Sequence, residues 1–265
     1  MTPNEAFPFD APYAVELTRA RVKFIQEFLR SIRKQVELGT ALDVGCGVGY
    51  FSAFLAESGF HVTALDGREE NILEARRRHP SVNFFAVDAE AIPLGQFTPA
   101  DLVLCAGLLY HLENPFRVIR NLHSLTAKLL IIEGMCLPGS TASMELLDEG
   151  TTADQGLNFV AFYPSEAALV KMLYRSGFPF VYIFTRLPEH PEYGDSSGRK
   201  RERTVVLASK VSVNAPNLTL TEEPFRPVHG ISDPWTSPLM KSRYFLGNLR
   251  RSLIGIFRKS PPSPS

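Results

Sequence analysis

Ala41-Leu42-Asp43-Val44-Gly45-Cys46-Gly47-Val48-Gly49-Tyr50-Phe51 is the stretch on which the reading of this chain turns. It reads as a buried strand, a glycine-rich turn and the start of a helix. Glycines at 45, 47 and 49 leave no Cβ in the way, so the backbone can turn tightly and approach a ligand closely. The helix that follows points free N–H groups and its positive dipole end into the same space. That geometry suits a nucleotide or an amino-acid carboxylate.

Two details narrow the ligand. The dinucleotide fingerprint Gly-x-Gly-x-x-Gly fails at its last glycine, where this chain has Tyr50. Asp66 ends the next apolar run, 61–65, and a carboxylate there can accept both hydroxyls of a ribose, each bond worth roughly 1.5–3 kcal/mol. Strand, turn, helix, second strand and terminal acid, in that order, resemble the class I S-adenosylmethionine-dependent methyltransferases, whose first motif is similar to Asp43-Val-Gly-Cys-Gly-Val-Gly49. The resemblance implies a doubly wound, mostly parallel seven-stranded α/β sheet of Rossmann-like type, with S-adenosylmethionine as cofactor. It places Asp43, Gly45, Cys46, Gly47 and Gly49 around the methionine portion, Asp66 at the ribose, and Asp88 with Ala89 at the adenine. Gly67 and, at the end of the fourth strand, Ala106 complete the implied cofactor set.

The 265 residues allow one domain plus an appendage. Hydrophobic content of 45% and charged content of 21% describe an ordinary globular chain, and a formal charge of zero argues against nucleic acid or an acidic polymer as partner. Three cysteines, Cys46, Cys105 and Cys136, stand at no metal-like spacing and read as reduced thiols of a cytoplasmic protein; no metal is expected. The start of the chain lacks the basic-then-apolar order of a signal peptide, and no apolar run approaches the ~20 residues that span a bilayer.

From Pro12 to about Glu37 the apolar residues follow a helical period, with Asp10 or Ala11 as cap and Pro12 in the first turn. Its basic residues, Arg21 among them, read as a solvated face, and Tyr13 is in reach of the cofactor if the helix closes over it as in the resembled family. Strands are predicted over 61–66, 82–87, 100–106 and 128–133, alternating with helices over 50–58, 69–78 and 115–126. Five such alternations argue a parallel, doubly wound sheet with every strand's C-terminal end on one edge. Ligands bind at that edge. Residues 43–49, Asp66, Asp88 and 106–111 all fall there. Asp88 has a second reading, as the N-cap of a turn, and the two roles can coexist.

Residues 135–162 break the rhythm with glycines and the acids Glu145, Asp148, Glu149 and Asp154, and read as a loop covering the substrate. A helix over 164–176 and strands over 178–184 and 204–209 then match the antiparallel sixth and seventh strands of the family's sheet, so the domain is set at 1–209. Residues 210–265 read as a proline-rich linker followed by a basic amphipathic helix over 241–259. Three readings stand for that helix: docking on its own domain or a twin subunit, contact with a membrane surface or partner, and contact with RNA.

Methyl transfer from a sulfonium needs alignment of nucleophile, methyl carbon and sulfur, exclusion of water, and a base where the nucleophile begins protonated. Leu108-Leu109-Tyr110-His111-Leu112 lies just past the fourth strand, where an acceptor belongs. His111 is the candidate base and Tyr110 a candidate wall or hydrogen-bond partner; a purely structural role for His111 stays open. The family's amino-methylating branch carries Asn/Asp-Pro-Pro-Tyr/Phe after this strand, whereas this chain has Cys105-Ala106-Gly107-Leu108, which points away from base or amide methylation. A small-molecule oxygen acceptor is the expectation. The alternatives are methylation or carboxymethylation of tRNA wobble uridine, since Leu-Tyr-His-Leu before Glu113-Asn114-Pro115 resembles those enzymes, and a non-catalytic cofactor binder.

Overall fold

The structure is a computed structural model that describes residues 7–194 and 202–225. Helix α1 (Pro12–Ile32) packs Leu17, Phe24, Ile25, Phe28 and Ile32 inward, the spacing of one helical face. It ends at Ile32 rather than near residue 37, although Val36 beyond it is still buried. Neither expected cap makes a side-chain capping bond. Asp10 is instead engaged by Arg78, whose Nη1 and Nη2 each donate to one of its oxygens at 2.7 Å, and by the Tyr50 hydroxyl at 2.7 Å. A bidentate charged pair outweighs an exposed cap, which is worth ~1 kcal/mol.

The chain then runs through β1 (Thr40–Val44), α2 (Tyr50–Glu57), β2 (His61–Asp66), α3 (Glu69–Arg78), β3 (Asn83–Ala86), β4 (Ala100–Ala106), α4 (Pro115–Leu125) and β5 (Thr126–Cys136). After β5 come β6 (Met144–Asp148), β7 (Val160–Pro164), α5 (Glu166–Ser176), β8 (Phe180–Phe184), β9 (Glu202–Ser209) and β10 (Leu218–Leu220). The main sheet has the order β10-β8-β9-β5-β4-β1-β2-β3, with β1 through β5 parallel. Because β1 pairs with β2 on one side and β4 on the other, the crossovers diverge there, and the crevice outside their C-terminal ends is the ligand edge.

Alternate strand residues serve opposite layers. In β4, Leu102 and Leu104 join the core under α1, α2 and α3, while Val103 and Cys105 join the core under α4 and α5. Both faces are covered, which is why this strand is apolar apart from Asp101 near its start. Ser165 caps α5 by accepting from the Ala168 N–H at 3.1 Å, and Gly177 ends the helix in the left-handed region at φ 108°.

Three features differ from expectation. Among the described residues the main sheet has eight strands, not seven: β10, from a stretch read as irregular linker, pairs with the outer edge of β8. Strand β8 is antiparallel to β9, itself antiparallel to β5, so β8 runs with the parallel set and only β9 and β10 oppose it. The intervening α5 turns the chain back to make this so. Finally, residues 135–162 are not all loop, because β6 and β7 form a separate antiparallel hairpin. The basic helix expected at 241–259, with its membrane, partner or RNA contact, lies outside the described residues. Among the described residues no helix is long and apolar enough to cross a membrane, and no acid, histidine and cysteine cluster could hold a metal.

Candidate cofactor cleft

The glycine turn is locked to the second strand by backbone and side chain together. Gly45 and Cys46 N–H groups both donate to the Leu65 carbonyl, at 2.8 and 3.0 Å, and Gly47 N–H donates to Asp66 Oδ2 at 2.9 Å. Gly45, Gly47 and Gly49 have φ of 77°, 53° and 89°, backbone that favours glycine. A Cβ on Gly45 would also lie 2.7 Å from that of Leu108, so this turn tolerates no larger residue.

Asp66 therefore stands at the tip of β2 facing the turn. Its Oδ1 accepts from the Arg68 N–H at 2.9 Å and from Asn71 Nδ2 at 3.1 Å. Burial pushes its carboxyl above the ordinary carboxylate range, against the hydrogen bonds from Arg68, Gly47 and Asn71 that pull it down. Asp43 lies deeper, 1% exposed, and accepts the Ser52 hydroxyl at 2.6 Å. Burial likewise dominates there and raises Asp43 to about 7. The Cys46 thiol is pushed up by burial and by Asp43 and Asp66, which keeps it protonated and unreactive.

A cleft of about 590 Å³, counted with its open mouth, lies over this edge. Gly45, Gly47, Asp66, Gly67, Asp88 and Ala89 line it, as does His111. Asp43, Cys46, Gly49, Ala106 and Tyr110 do not line it; they sit behind it, in the packed layer that supports the turn and the end of β4. Asp88 caps its turn, its Oδ1 accepting the Glu90 N–H at 2.8 Å, and it also borders the cleft. Tyr13 is 53% exposed and packs edge-on against His190 at 5.4 Å, away from the cleft-lining set.

His111 does not bond a backbone carbonyl through its ring. Its Nδ1 is 2.6 Å from Glu149 Oε1, and the two side chains are 10% and 5% exposed. A carboxylate only accepts, so Nδ1 carries a proton, and in the neutral imidazole Nε2 is then the acceptor. Tyr110 is sandwiched among rings, 4.1 Å from His111 and 5.3 Å from Tyr163, with the Arg203 guanidinium 5.7 Å from its centroid. Arg203 in turn belongs to a buried ion cluster with Glu133 and Arg21. Arg21, expected on a solvated face, is 9% exposed because the carboxylate of Glu133 draws it inward.

Glu149, Arg68, Asn71 and the Glu133 cluster carry no local signature. Glu149 and His111 are 38 residues apart, and the only trace in the sequence is the acidity of the segment after β5. The groups that border the cleft fit an adenosyl sulfonium: Asp66 suits a diol, Asp88 suits an amine, and Arg68 Nε and Asp154 Oδ1 are buried polar atoms with no hydrogen-bond partner.

This edge and this sheet define a doubly wound, Rossmann-like α/β fold with its ligand crevice at the strand ends. Residues 41–128 match the protein-family model described as methyltransferase domain. Among curated proteins the chain is similar to the ubiquinone biosynthesis O-methyltransferases of Rickettsia typhi, 30% identical over 40% of this chain and 44% of that one, and of Hydrogenovibrio crunogenus, 34% identical over 37% and 41%. The chain thus spans less than half the length of the curated relatives it matches. Among solved structures it resembles the N-terminal domain of EvdMO1 with SAH bound, at TM-score 0.62 and 20% identity over 75% of this chain and 84% of that one. It also resembles the magnesium protoporphyrin IX methyltransferase ChlM of Synechocystis PCC 6803 with bound SAM, at TM-score 0.51 and 20% identity over 78% and 86%. At these identities the likeness of structures speaks for the fold.

Proposed function

We propose that this protein is an S-adenosylmethionine-dependent methyltransferase that methylates an oxygen of a small-molecule acceptor. The observation that carries it is the convergence on one cleft of Asp66, hydrogen-bonded to the Gly47 turn, and of His111, oriented by Glu149. The family match over 41–128 and the O-methyltransferase names of the curated relatives support the same reading.

In this reading the bound cofactor supplies an electrophilic methyl group on a positively charged sulfur. The chain's part is positioning. Asp66 and Gly67 hold the ribose, Asp88 and Ala89 the adenine, and the 45–49 turn the methionine portion, with Asp43, Cys46, Gly49 and Ala106 fixing that turn and strand end from behind. Correct alignment of this kind supplies up to ~7–11 kcal/mol of the barrier. His111, with its proton on Nδ1, offers Nε2 to an acceptor hydroxyl and takes its proton as the oxygen attacks. Tyr110 supports the His111 ring. Net charge of zero disfavours nucleic acid as acceptor, and three buried cysteines at no metal-like spacing fit a reducing cytoplasm.

Calorimetric titration with S-adenosylhomocysteine tests the reading, which expects micromolar binding. Absence of heat at high micromolar ligand would refute it. Donor-label transfer to catechol-like and sugar hydroxyl acceptors, compared with bulk tRNA, then separates a small-molecule acceptor from RNA.

A further inference from the structure

We propose that residues 149–157 are a lid over the nucleoside half of the cleft, that Asp154 and Arg68 are further ligands of the bound nucleoside, and that Glu149 carries lid closure to His111. The inference rests on the methyltransferase reading and deepens it. A segment leaving β5 would be expected to cover the acceptor. Its tip reaches instead across to the residues that follow Asp66.

Four contacts fasten the tip there. Asn71 Nδ2 donates to the Ala153 carbonyl at 3.2 Å, and Arg68 Nη2 donates to the Gln155 and Gly156 carbonyls at 3.2 and 3.0 Å. Leu157 closes on Gly67, where a Cβ would meet its Cδ1 at 2.7 Å. All these latch residues stand within a turn of the ribose-facing carboxylate, so the lid and a nucleoside share one set of neighbours.

Three polar atoms at this junction are buried without hydrogen bonds, Arg68 Nε, Asn71 Oδ1 and Asp154 Oδ1, and all three residues border the cleft. Arg68 Nε is a donor and the two oxygens are acceptors. An orphaned buried group costs more than a hydrogen bond returns, so such atoms mark where a ligand belongs. A nucleoside offers hydroxyls that both donate and accept and an exocyclic amine that donates, which satisfies the set.

The opposite end of the lid touches the candidate base. Glu149 spends its two oxygens on two partners: Oε2 accepts the Gly156 N–H at 2.8 Å and Oε1 faces His111 Nδ1 at 2.6 Å. Gly156 lies so close to His111 that a Cβ would come within 2.4 Å of the His111 carbonyl oxygen. The neck of the lid is closed by the Glu149 N–H donating to the Phe159 carbonyl at 2.8 Å, with Phe159 held at φ 58°. Lifting the tip therefore withdraws Gly156 from Glu149 and frees Glu149 to leave His111. Cofactor occupancy and the tautomer of the base become linked through one carboxylate.

Hydrogen exchange and ring-nitrogen NMR of the full chain, with and without S-adenosylhomocysteine, test this. The expected results are exchange over 150–157 slowed at least ~tenfold by the ligand, an Nδ1-protonated His111 in the wild type, and a shift toward Nε2–H in E149A. D154N should weaken S-adenosylhomocysteine about tenfold. Binding without protection of 150–157, or an unchanged His111 tautomer in E149A, overturns the lid while leaving the methyltransferase reading intact. If the wild type binds no S-adenosylhomocysteine, both fall together.

Discussion

Arg203 meets Glu133 side-on, with Nε 2.8 Å from Oε1 and Nη2 3.3 Å from Oε2, and the pair lies almost wholly out of water. Burial alone would push the Glu133 carboxyl up, but Arg203 and Arg21 outweigh it and hold the group below the ordinary carboxylate range. The cluster ties β5 to β9 and α1 directly behind Tyr110.

Removing the carboxylate should leave two guanidinium groups buried without a counter-charge. E133A is expected to lose about 3–5 kcal/mol of stability, read as a lowered urea midpoint. An E133M/R203L/R21L variant should recover much of that, since apolar replacement of a whole buried ion cluster is far cheaper than breaking it. Equal losses in both variants would mean that the charges do not act as a unit.

Asp43 sets a pH dependence with a definite sign. Its carboxyl titrates at about 7 in the folded chain against an ordinary value of 3.8. Between those values the folded state holds a proton that the unfolded chain has released. Stability from this group therefore falls as pH rises from about 4 to about 7 and is level above that, by a few kcal/mol at most. D43N, which keeps an oxygen for the Ser52 hydroxyl, should gain on the wild type as pH rises through the window. Urea midpoints at pH 5 and pH 8 measure the difference; a constant gap would show that Asp43 is already ionised when folded.

For Asp66 the expected effect is on binding. D66N keeps one acceptor for the Gly47 or Arg68 N–H but loses the charge that two ribose hydroxyls would require in the proposed complex. S-adenosylhomocysteine affinity should drop ~10–100-fold, in line with loss of charge-assisted hydrogen bonds. Calorimetry alongside circular dichroism separates lost affinity from lost fold.

Two glycines provide a matched pair. Gly45 and Gly59 both have left-handed backbone, at φ 77° and 94°, yet a Cβ on Gly45 meets Leu108 while one on Gly59 meets nothing within 4 Å. Both G45A and G59A bear the left-handed cost of ~1–2 kcal/mol, and G45A should lose ~1–3 kcal/mol more from overpacking. Thermal melts of the two variants give the excess directly, and equal melting temperatures would show that Leu108 moves aside freely.

Much of this fold was legible because its signals are local. Three alternating glycines, an acid at the tip of the next apolar run and five strand–helix alternations each depend on residues close in sequence. Strands β1, β2 and β4 are largely apolar for the same reason that they are central, and the ends of β1 to β4 put Gly45, Gly47, Asp66, Asp88 and His111 along one cleft. The direction of β8, the eighth strand and the β6–β7 hairpin were not legible, since pairing between distant segments leaves little trace in either partner.

By itself the sequence determined the strand–turn–helix with its carboxylate, because backbone freedom at glycine and period-two burial are written residue by residue. Tertiary structure alone decided that Arg21 turns inward, that Glu149 rather than a backbone group orients His111, and that residues 153–157 lie against Arg68 and Asn71. Those choices follow from burial. A charge removed from water must find its partner wherever the fold delivers one, at any separation along the chain.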